Sequence, residues 1–256
     1  MYKVDAVIFD WAGTTVDFGS FAPVRAFMEV FKEYGVEPTV DEIRKPMGML
    51  KIEHIKAMLD MPRIRKEWKQ VHGAEPSEED AYAMNGIFEE KLLKILKNFA
   101  EPKPDTLRTV KELRRMGIAI GSTTGYTDKM MSIVAPAAGE RGYKPDIWFS
   151  PDSTGQKGRP YPYMIFKNME ALNIKDVRRV LKVGDTVSDI KEGKSAGVLT
   201  AGVVVGSSQM GLSREEYETL EPEEREKLCE EVKRDFLEAG ADEVFLTLDE
   251  VIEYIA

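Results

Sequence analysis

Five short runs that are typical of buried strands constrain the fold most strongly. They are VDAVIFDW at 4–11, IAIGST at 118–123, RVLKVGD at 179–185 and TAGVVVG at 200–206, with a weaker run, DIWFS, at 146–150. Helical patterns alternate with the later runs, at 104–116, 127–141, 160–172 and 187–195. Strands that alternate with helices and are apolar on both faces are typical of a parallel sheet covered by helices. The sequence therefore predicts an α/β fold with a Rossmann-like parallel-sheet core.

A long helical block lies between the first and second strand runs. Apolar residues recur there at three- and four-residue spacing, in FAPVRAFMEVFKEYG at 21–35, VDEIRKPMGMLKIEHIKAMLDM at 40–61, PRIRKEWKQV at 62–71 and SEEDAYAMNGIFEEKLLKILKNFA at 77–100. We therefore expect an α/β core domain of residues 1–19 and 100–256 that carries an inserted α-helical cap domain of residues 20–99. After the last strand run, a charged amphipathic helix is predicted over 214–239, followed by EVFLT and a short final helix.

Composition argues against two classes of partner. The 256 residues carry a net charge of −9 without a basic stripe, which argues against a nucleic-acid surface. No apolar run reaches the length of a membrane span, and the start MYKVDAVIFD resembles neither a signal peptide nor a transit peptide. The single cysteine, Cys229, cannot form an intrachain disulfide and is expected to be a packing residue. We expect a cytoplasmic protein that binds neither nucleic acid nor membranes.

Polar side chains follow the strand runs at the edge where ligands bind in open α/β sheets. Asp10 lies at the end of the first run, Thr-Thr-Gly at 123–125 ends the second, and Asp185 ends the run at 179–185, with Asp189 one helical turn later. Two carboxylates that converge at strand ends are unfavourable unless a cation lies between them, and oxygen ligands favour Mg²⁺. Each aspartate alone could be a helix cap or a turn residue, but the set in this order favours a metal site.

Four sequence motifs carry a family resemblance. FDWAGTTVD, STTG, GRPYP and GDTVSD occur in the order and spacing of the motifs of the haloacid dehalogenase superfamily, whose members use the first aspartate as a nucleophile. With RKPMGMLKIEH, GSTTGYT, VGDTVSDIKEG and GSS-x-x-GL at 206–212, nearly the whole chain resembles the phosphonoacetaldehyde hydrolase (phosphonatase) family. The resemblance implies hydrolysis of a P–C bond to acetaldehyde and phosphate with Mg²⁺ as cofactor. KPMGMLKIEH is the specific signal, because many phosphatases share the core motifs.

Ala12 departs from the ordinary phosphatase pattern, in which a second aspartate stands two positions after the first. That aspartate protonates an alkoxide leaving group, whereas cleavage of a P–C bond releases a carbanion that a carboxylic acid cannot help to leave. A protonated imine can take up the electron pair as an enamine. The family forms that imine with a lysine of the cap, and the matching residue here is Lys51. A lone lysine on an amphipathic helix is usually solvated, but Met47, Met49, Leu50 and Ile52 make the surroundings of Lys51 apolar.

The resemblance also implies the remaining roles. The metal ligands it implies are Asp10, the carbonyl of Ala12, Asp185 and, through an outer or water-mediated contact, Asp189. The phosphonate-binding residues it implies are Thr124, Gly125 and Arg159, with Tyr126 lining the pocket. His54, three residues after Lys51, is expected to move protons during imine formation and hydrolysis. His72 is expected in a loop without a role, and the family tends to form homodimers through the cap.

Three alternatives stay open on the sequence alone. An Mg²⁺-dependent phosphatase or phosphomutase of the same superfamily should carry an aspartate at position 12, where this chain has alanine. A haloacid dehalogenase also lacks that aspartate, but it needs no metal and would have little use for GDTVSD. A non-catalytic binding protein on this fold predicts loss of the nucleophile or the metal carboxylates, whereas Asp10, Asp185 and Arg159 are all present.

Overall fold

The computed structural model describes residues 4–46 and 51–256. In these residues a single six-stranded sheet has the order β3-β2-β1-β4-β5-β6, and every neighbouring pair is parallel. The strands are β1 (Ala6–Phe9), β2 (Ala119–Thr123), β3 (Ile147–Phe149), β4 (Val180–Gly184), β5 (Leu199–Val203) and β6 (Glu243–Phe245). The predicted α/β fold with a parallel sheet is confirmed.

The chain divides into two compact units, a sheet unit of Met1–Ser20 with Phe99–Ala256 and a helical unit of Phe21–Asn98. The helices of the helical unit are α1 (Phe21–Glu33), α2 (Val40–Arg44), α3 (Lys51–Leu59), α4 (Pro62–His72) and α5 (Glu78–Ile95). The helices of the sheet unit are α6 (Thr106–Arg115), α7 (Asp128–Glu140), α8 (Tyr163–Ala171), α9 (Val187–Ala196), α10 (Arg214–Thr219), α11 (Pro222–Glu238) and α12 (Asp249–Ile255). None of the helices within the described ranges is long and apolar enough to cross a membrane.

The centre of the sheet is formed by β1 and β4, whose residues are all buried. Ile8 of β1 packs with Val180 of β4 and with Ile165 of α8 in one apolar cluster. Burial on both faces explains why the two sequence runs are almost continuously apolar. Lys182 in the middle of β4 is the exception, since it is charged and 0% exposed.

The helical unit is held together by its own apolar contacts. Helices α1 and α3 both pack against α5, and the rings of Phe27 and Phe88 meet at a centroid distance of 4.4 Å. Thr39 and Ser77 form capping boxes at the starts of α2 and α5, which satisfy otherwise unpaired amide groups. The pattern of three- and four-residue spacing in the sequence therefore corresponds to helices that bury one face against each other.

The prediction of one helix over 214–239 is wrong, because this segment forms the two helices α10 and α11. Ser213 begins α10 with a capping box, and Leu220 and Glu221 are both extended. Pro222 explains the break, since a proline disfavours the helical conformation of the residue before it and is well suited to the first position of a helix. The charged periodic pattern continued across this proline and hid the boundary.

Candidate active site

A tight turn follows β1 and fixes the position of Asp10. The carbonyl of Trp11 accepts hydrogen bonds from the amides of Thr15 and Val16, at 2.8 and 3.0 Å. Gly13 adopts a φ of +85°, a conformation that residues with a side chain rarely adopt. The turn therefore holds Asp10, only 4% exposed, at the carboxyl end of a central strand.

Three aspartates converge beside this turn. Asp10 follows β1, Asp185 follows the neighbouring β4, and Asp189 lies in the first turn of α9. All three are buried, and one oxygen of each lies within 4.8 Å of the others. The close approach of Asp189 requires Gly184, because a Cβ at that position would lie 2.2 Å from the Cβ of Asp189. The structure thus brings together the carboxylates that the sequence placed at strand ends.

Asp185 is held by two residues that the sequence interpretation did not assign. Thr14 Oγ1 donates to Oδ1 of Asp185 at 2.9 Å. The amide and the hydroxyl of Ser208 donate to Oδ2 at 2.7 and 2.6 Å. Both residues lie inside segments that carried the family resemblance, Thr14 in FDWAGTTVD and Ser208 in GSS-x-x-GL. The motifs therefore included these residues but did not show that they bind Asp185.

Arg159 reaches the cluster from the loop before α8. Its Nη2 donates to Oδ1 of Asp10 and lies 3.1 Å from Oδ1 of Asp189. Its Nε donates to Oε2 of Glu192 at 3.1 Å. Although burial lowers the pKa of Arg159, the surrounding carboxylates raise it well above its usual range. The guanidinium is therefore a permanent positive charge beside Asp10.

A second buried cation contacts the same oxygen of Asp189 as Arg159 does. Lys182 Nζ lies 3.0 Å from Oδ1 of Asp189 and 3.2 Å from Oε2 of Glu192, and all three side chains are fully buried. Neither Lys182 nor Glu192 was predicted as a site residue. A lysine inside an otherwise apolar strand was the one sequence signal that could have pointed to this pair, since buried lysines are rare unless they are paired.

Burial and mutual repulsion shift the acidity of the aspartates. Burial raises the pKa of Asp10 to about 8, against a lowering effect of Arg159 and with further increases from Asp189 and Asp185. Burial and Asp189 also raise the pKa of Asp185. Burial acts upward on Asp189 too, but Arg159 and Lys182 hold its pKa below the usual value. The protein alone therefore does not favour two ionised carboxylates at Asp10 and Asp185.

The cluster fits a divalent cation. Among the described residues, the cations in ion-pair contact with Asp10, Asp189 and the neighbouring Glu192 are Arg159 and Lys182. Together with Asp185, these groups carry a net charge of −2 when all are ionised. A divalent ion would balance this charge and favour the ionised form of Asp10. Carboxylate oxygens suit a hard cation such as Mg²⁺.

The other predicted residues of the sheet unit lie in the two loops after β1 and β2. Ala12 is half-buried within the turn after β1. The hydroxyl of Thr124 is buried and accepts from the amide of Tyr126 at 3.0 Å, while Gly125 between them is exposed. Burial, with Asp17, raises the pKa of Tyr126 well above its usual value, so its phenol stays neutral. This loop leads into α7, whose first turn begins after Thr127.

Lys51 and His54 lie together at the start of α3 in the helical unit. Lys51 is an exposed residue, yet its ammonium group lies 5.6 Å from the centroid of the Phe88 ring. Desolvation by the surrounding protein lowers the pKa of Lys51, partly offset by Glu89. Of the four residues on which the predicted apolar surroundings depended, Met47, Met49 and Leu50 lie outside the described residues, and Ile52 is half-buried.

His54 is 1% exposed, and its ring stacks on Phe27 at a centroid distance of 3.9 Å. Burial lowers the pKa of His54 to about 4, against a hydrogen bond to the backbone of Ile43. Its Nε2 has no hydrogen-bond partner among the described residues. His54 is therefore neutral near pH 7, and the role in proton transfer stays a prediction.

The loop assignment of His72 is wrong. His72 is the last residue of α4, stacks on Trp68 at 4.2 Å and hydrogen-bonds through Nε2 to the carbonyl of Tyr34 at 2.8 Å. Gly73, in the left-handed conformation, ends the helix one residue later than the sequence interpretation placed the end.

Comparison with known proteins identifies the class. The family model described as haloacid dehalogenase-like hydrolase matches residues 4–197. The chain therefore belongs to the haloacid dehalogenase-like hydrolase family, and it is an enzyme of the hydrolase class. Its parallel sheet, with an aspartate after the first strand and two more beside the neighbouring one, agrees with this assignment.

The most informative relatives narrow the class further. A phosphonoacetaldehyde hydrolase of Lysinibacillus sphaericus is 51% identical over 249 residues, which are 97% of this chain and 93% of that protein. One of Bacillus cereus strain G9842 is 50% identical over 256 residues, 99% of this chain and 97% of that protein. The crystal structure of a phosphonoacetaldehyde hydrolase-like protein from Oleispira antarctica has a TM-score of 0.84 at 37% identity and covers 98% of this chain and 92% of that one. The resemblance to the phosphonoacetaldehyde hydrolases is thus confirmed in sequence and in fold.

Proposed function

We propose that this protein hydrolyses the P–C bond of phosphonoacetaldehyde to acetaldehyde and phosphate, with Mg²⁺ as its cofactor. The observation that carries the proposal is the identity of about one half with phosphonoacetaldehyde hydrolases over nearly the whole chain. Two features of the chain support it. Asp10 lies among buried carboxylates and Arg159, and Ala12 stands where an ordinary phosphatase carries its proton donor.

The sheet unit would bind the phosphonate end of the substrate. Asp10, the carbonyl of Ala12 and Asp185 would hold Mg²⁺, with Asp189 in an outer position. The ion would reduce the negative charge of the phosphonate, so that an anionic nucleophile can approach phosphorus. Arg159 would bind phosphonate oxygens together with the 124–125 segment, because its guanidinium group is permanently charged and carries several N–H donors.

Asp10 would act as the nucleophile. One of its carboxylate oxygens forms a bond to phosphorus while the P–C bond breaks, which leaves an aspartyl phosphate. Water then attacks this mixed anhydride, releases phosphate and regenerates the carboxylate. The step requires Asp10 to be ionised, and the net negative charge of the cluster is the reason that a bound cation should matter for activity.

Lys51 would supply the electron sink that the P–C bond needs. Its neutral amine adds to the aldehyde carbon, and the resulting carbinolamine takes up a proton and loses water, which gives a protonated imine. The electron pair of the breaking P–C bond moves into this group and forms an enamine. Protonation at carbon followed by hydrolysis releases acetaldehyde and the free lysine. The lowered pKa of Lys51 supports this role, because only the neutral amine can attack.

Asp10→Asn tests the nucleophile. The variant is expected to lose essentially all release of phosphate and acetaldehyde from phosphonoacetaldehyde, because the amide cannot attack phosphorus. Asp5→Asn is the matched control. Asp5 lies directly before β1, whereas Asp10 lies directly after it, and Asp5 forms an exposed ion pair with Arg179. Retention of more than a few per cent of activity by Asp10→Asn would exclude the aspartyl-phosphate route.

Borohydride reduction tests the imine. With acetaldehyde present, sodium borohydride is expected to attach a two-carbon group to Lys51 and to inactivate the protein, as mass spectrometry of peptides can detect. Lys51→Arg should lose both the label and P–C cleavage. Lys56→Arg on the same helix is the control, because Lys56 is paired with Glu78. A label on another lysine, or continued hydrolysis of phosphonoacetaldehyde by Lys51→Arg, would exclude the imine at Lys51. The alternative of a general phosphatase would then be favoured.

The remaining expectations from the family resemblance belong to the same proposal. We infer a homodimer in the cytoplasm, and light scattering after gel filtration tests the first point. The expected mass is twice the 28.9 kDa of one chain. A monomer at micromolar concentration would contradict it and would leave the proposed reaction unaffected.

A further inference from the structure

Two charged side chains without access to solvent lie next to Arg159 and to each other. Lys182 of β4 and Glu192 of α9 are both 0% exposed. Removing a charge from water is unfavourable even when the ions are paired, so a buried ion pair is weak evidence for a gain in stability. The contacts of the pair must therefore explain why the chain has charged groups there.

The pair contacts the functional cluster directly. Oε2 of Glu192 accepts from Thr123 Oγ1 at 3.1 Å and lies 3.2 Å from Nζ of Lys182. Lys182 also donates to Thr123 Oγ1 at 2.7 Å and lies 3.0 Å from Asp189. Thr123 is the last residue of β2, next to the loop that contains Thr124. Two strands and α9 thus meet in one closed polar network.

This network holds one edge of the Arg159 side chain. Nε donates to Glu192, and Nη2 donates to Asp10 and to Thr123 Oγ1, the latter at 3.1 Å. Nε and Nη2 form the side edge of the planar guanidinium group. Among the described residues, the hydrogen bonds of the guanidinium come from Nε and Nη2, so the two N–H groups of Nη1 are its unused donors.

We propose that Glu192 and Lys182 are positioning residues that hold Arg159 for the oxygens of a phosphate-type anion. Glu192 fixes the guanidinium through Nε, and Lys182 balances the negative charge of Glu192 and Asp189, so that Arg159 is not drawn entirely onto these two carboxylates. The inference rests on the proposed function in one respect, namely that Arg159 meets a phosphate or phosphonate group.

Glu192→Gln separates positioning from a simple effect of charge. The substitution keeps the size of the side chain but removes its charge, so a purely electrostatic role predicts tighter anion binding. Positioning predicts the opposite, because Nε loses its strong acceptor and the guanidinium turns toward Asp10 and Asp189. We expect the Mg²⁺-loaded variant to bind inorganic phosphate about tenfold more weakly in calorimetry, by analogy with the loss caused by changing residues that orient metal ligands.

Two further variants complete the experiment. Lys182→Met with Glu192→Gln removes both charges together, a change that buried pairs often tolerate. This double variant is also expected to bind phosphate about tenfold more weakly, whereas a pure charge effect predicts wild-type binding. Phe236→Leu, in α11 against Gly202, is the control, since it should lower the melting temperature and leave phosphate binding unchanged.

The outcomes are distinct. Wild-type or tighter phosphate binding by Glu192→Gln overturns the positioning role, even if the enzyme hydrolyses phosphonoacetaldehyde. Absence of phosphate binding in the wild-type protein with Mg²⁺ overturns the anion-binding role of Arg159 and with it the inference. Weaker phosphate binding in both Glu192 variants, with Mg²⁺ affinity within about twofold of the wild-type value, supports it.

Discussion

At Gly13 the candidate site depends on the absence of a single carbon atom. A Cβ at this position would lie 2.1 Å from Oδ2 of Asp185 and 3.0 Å from Oγ of Ser208. The positive φ of Gly13 adds a second reason for glycine. Space and backbone conformation act together here, and a comparison with another glycine can separate them.

Gly13→Ala is expected to weaken Mg²⁺ binding roughly tenfold or more, because Asp185 must move away from the other carboxylates. Gly117→Ala is the control, since Gly117 has a similar φ of +77° but no atom within 4 Å of the added carbon. That variant should lose about 1 kcal/mol of stability and keep its Mg²⁺ affinity. Calorimetric titration with Mg²⁺ and thermal unfolding measure the two effects. Equal Mg²⁺ affinity in both alanine variants would show that Asp185 is not a ligand.

Ala12→Asp tests why this chain lacks the second aspartate. The added carboxylate stands beside Asp10, whose pKa burial already raises to about 8, so it should disfavour ionisation of the nucleophile. We expect slower release of phosphate from phosphonoacetaldehyde and at most slight hydrolysis of a phosphate ester. Ala12→Asn has nearly the same size without the charge and should be less impaired. Full P–C cleavage by Ala12→Asp would mean that the identity of residue 12 has no mechanistic meaning.

Site residues could be predicted from the sequence where they lie next to a predicted strand, and not where their role depends on contacts between distant segments. Asp10, Asp185 and Asp189 could be predicted because each directly follows a strand or lies one helical turn beyond it. Ser208 and Glu192 could not, because their contacts depend on how distant loops and helices meet. Ser208 reaches Asp185 from a loop after β5, and Glu192 reaches Arg159 across 33 positions of sequence.

Among the elements, α3 shows how packing changes the chemistry of a side chain. His54 stacks on Phe27, which in turn meets Phe88 of α5. Burial in this apolar layer lowers the pKa of His54 to about 4, whereas an unfolded chain has a value near 6.5. The unfolded chain therefore takes up the proton first as the pH falls.

Acid should accordingly destabilise the protein through His54. The stability that the neutral, buried His54 contributes is fully present above about pH 6.5 and is lost as the pH falls toward 4. The free energy of unfolding falls by at most about 3 kcal/mol through this group. We expect His54→Gln to be less stable at pH 7.5, because the stack on Phe27 is lost, but to lose less stability between pH 7.5 and 5. Urea titrations at the two pH values measure this difference. His72→Gln controls for loss of an exposed imidazole, and an unchanged acid sensitivity in His54→Gln would contradict the assignment.

The elements of the sheet unit were more predictable than their ends. Strands β1, β2, β4 and β5 coincide with apolar runs because both faces of each are covered by protein. The single helix expected over 214–239 failed for the opposite reason. A mostly exposed helix is recognised by charge and spacing, and both continue from α10 into α11 across Leu220 and Pro222.

At the scale of the whole molecule, the stability of the two units is expected to respond to different solution conditions, pH for one and metal concentration for the other. The acid-sensitive His54 lies in the helical unit, whereas the net negative cluster of Asp10, Asp185 and Asp189 lies in the sheet unit. The sheet unit is built from two segments of the chain, Met1–Ser20 and Phe99–Ala256. A cation bound by the three aspartates would therefore link the two chain segments of the sheet unit, since Asp10 belongs to the first segment and Asp185 and Asp189 to the second.

Mg²⁺ is expected to stabilise the folded protein by binding this cluster. At a concentration one hundred times the dissociation constant, binding to the native state alone contributes about 2.7 kcal/mol. For a unit of this size the melting temperature should rise by about 5 to 10 °C. Circular dichroism with EDTA or with Mg²⁺ measures the shift, and potassium chloride at matched ionic strength accounts for screening of surface charges.

Asp185→Asn locates the effect within the molecule. Without metal, this variant should be at least as stable as the wild-type protein, because it removes one of the buried carboxylates whose pKa is raised by burial and by Asp189. With Mg²⁺ it should gain little, since a neutral amide is a weaker ligand for a hard cation. The same gain in melting temperature in Asp185→Asn and in the wild-type protein would place the bound Mg²⁺ away from these strand ends. The assignment of the cluster as the metal site would then be wrong.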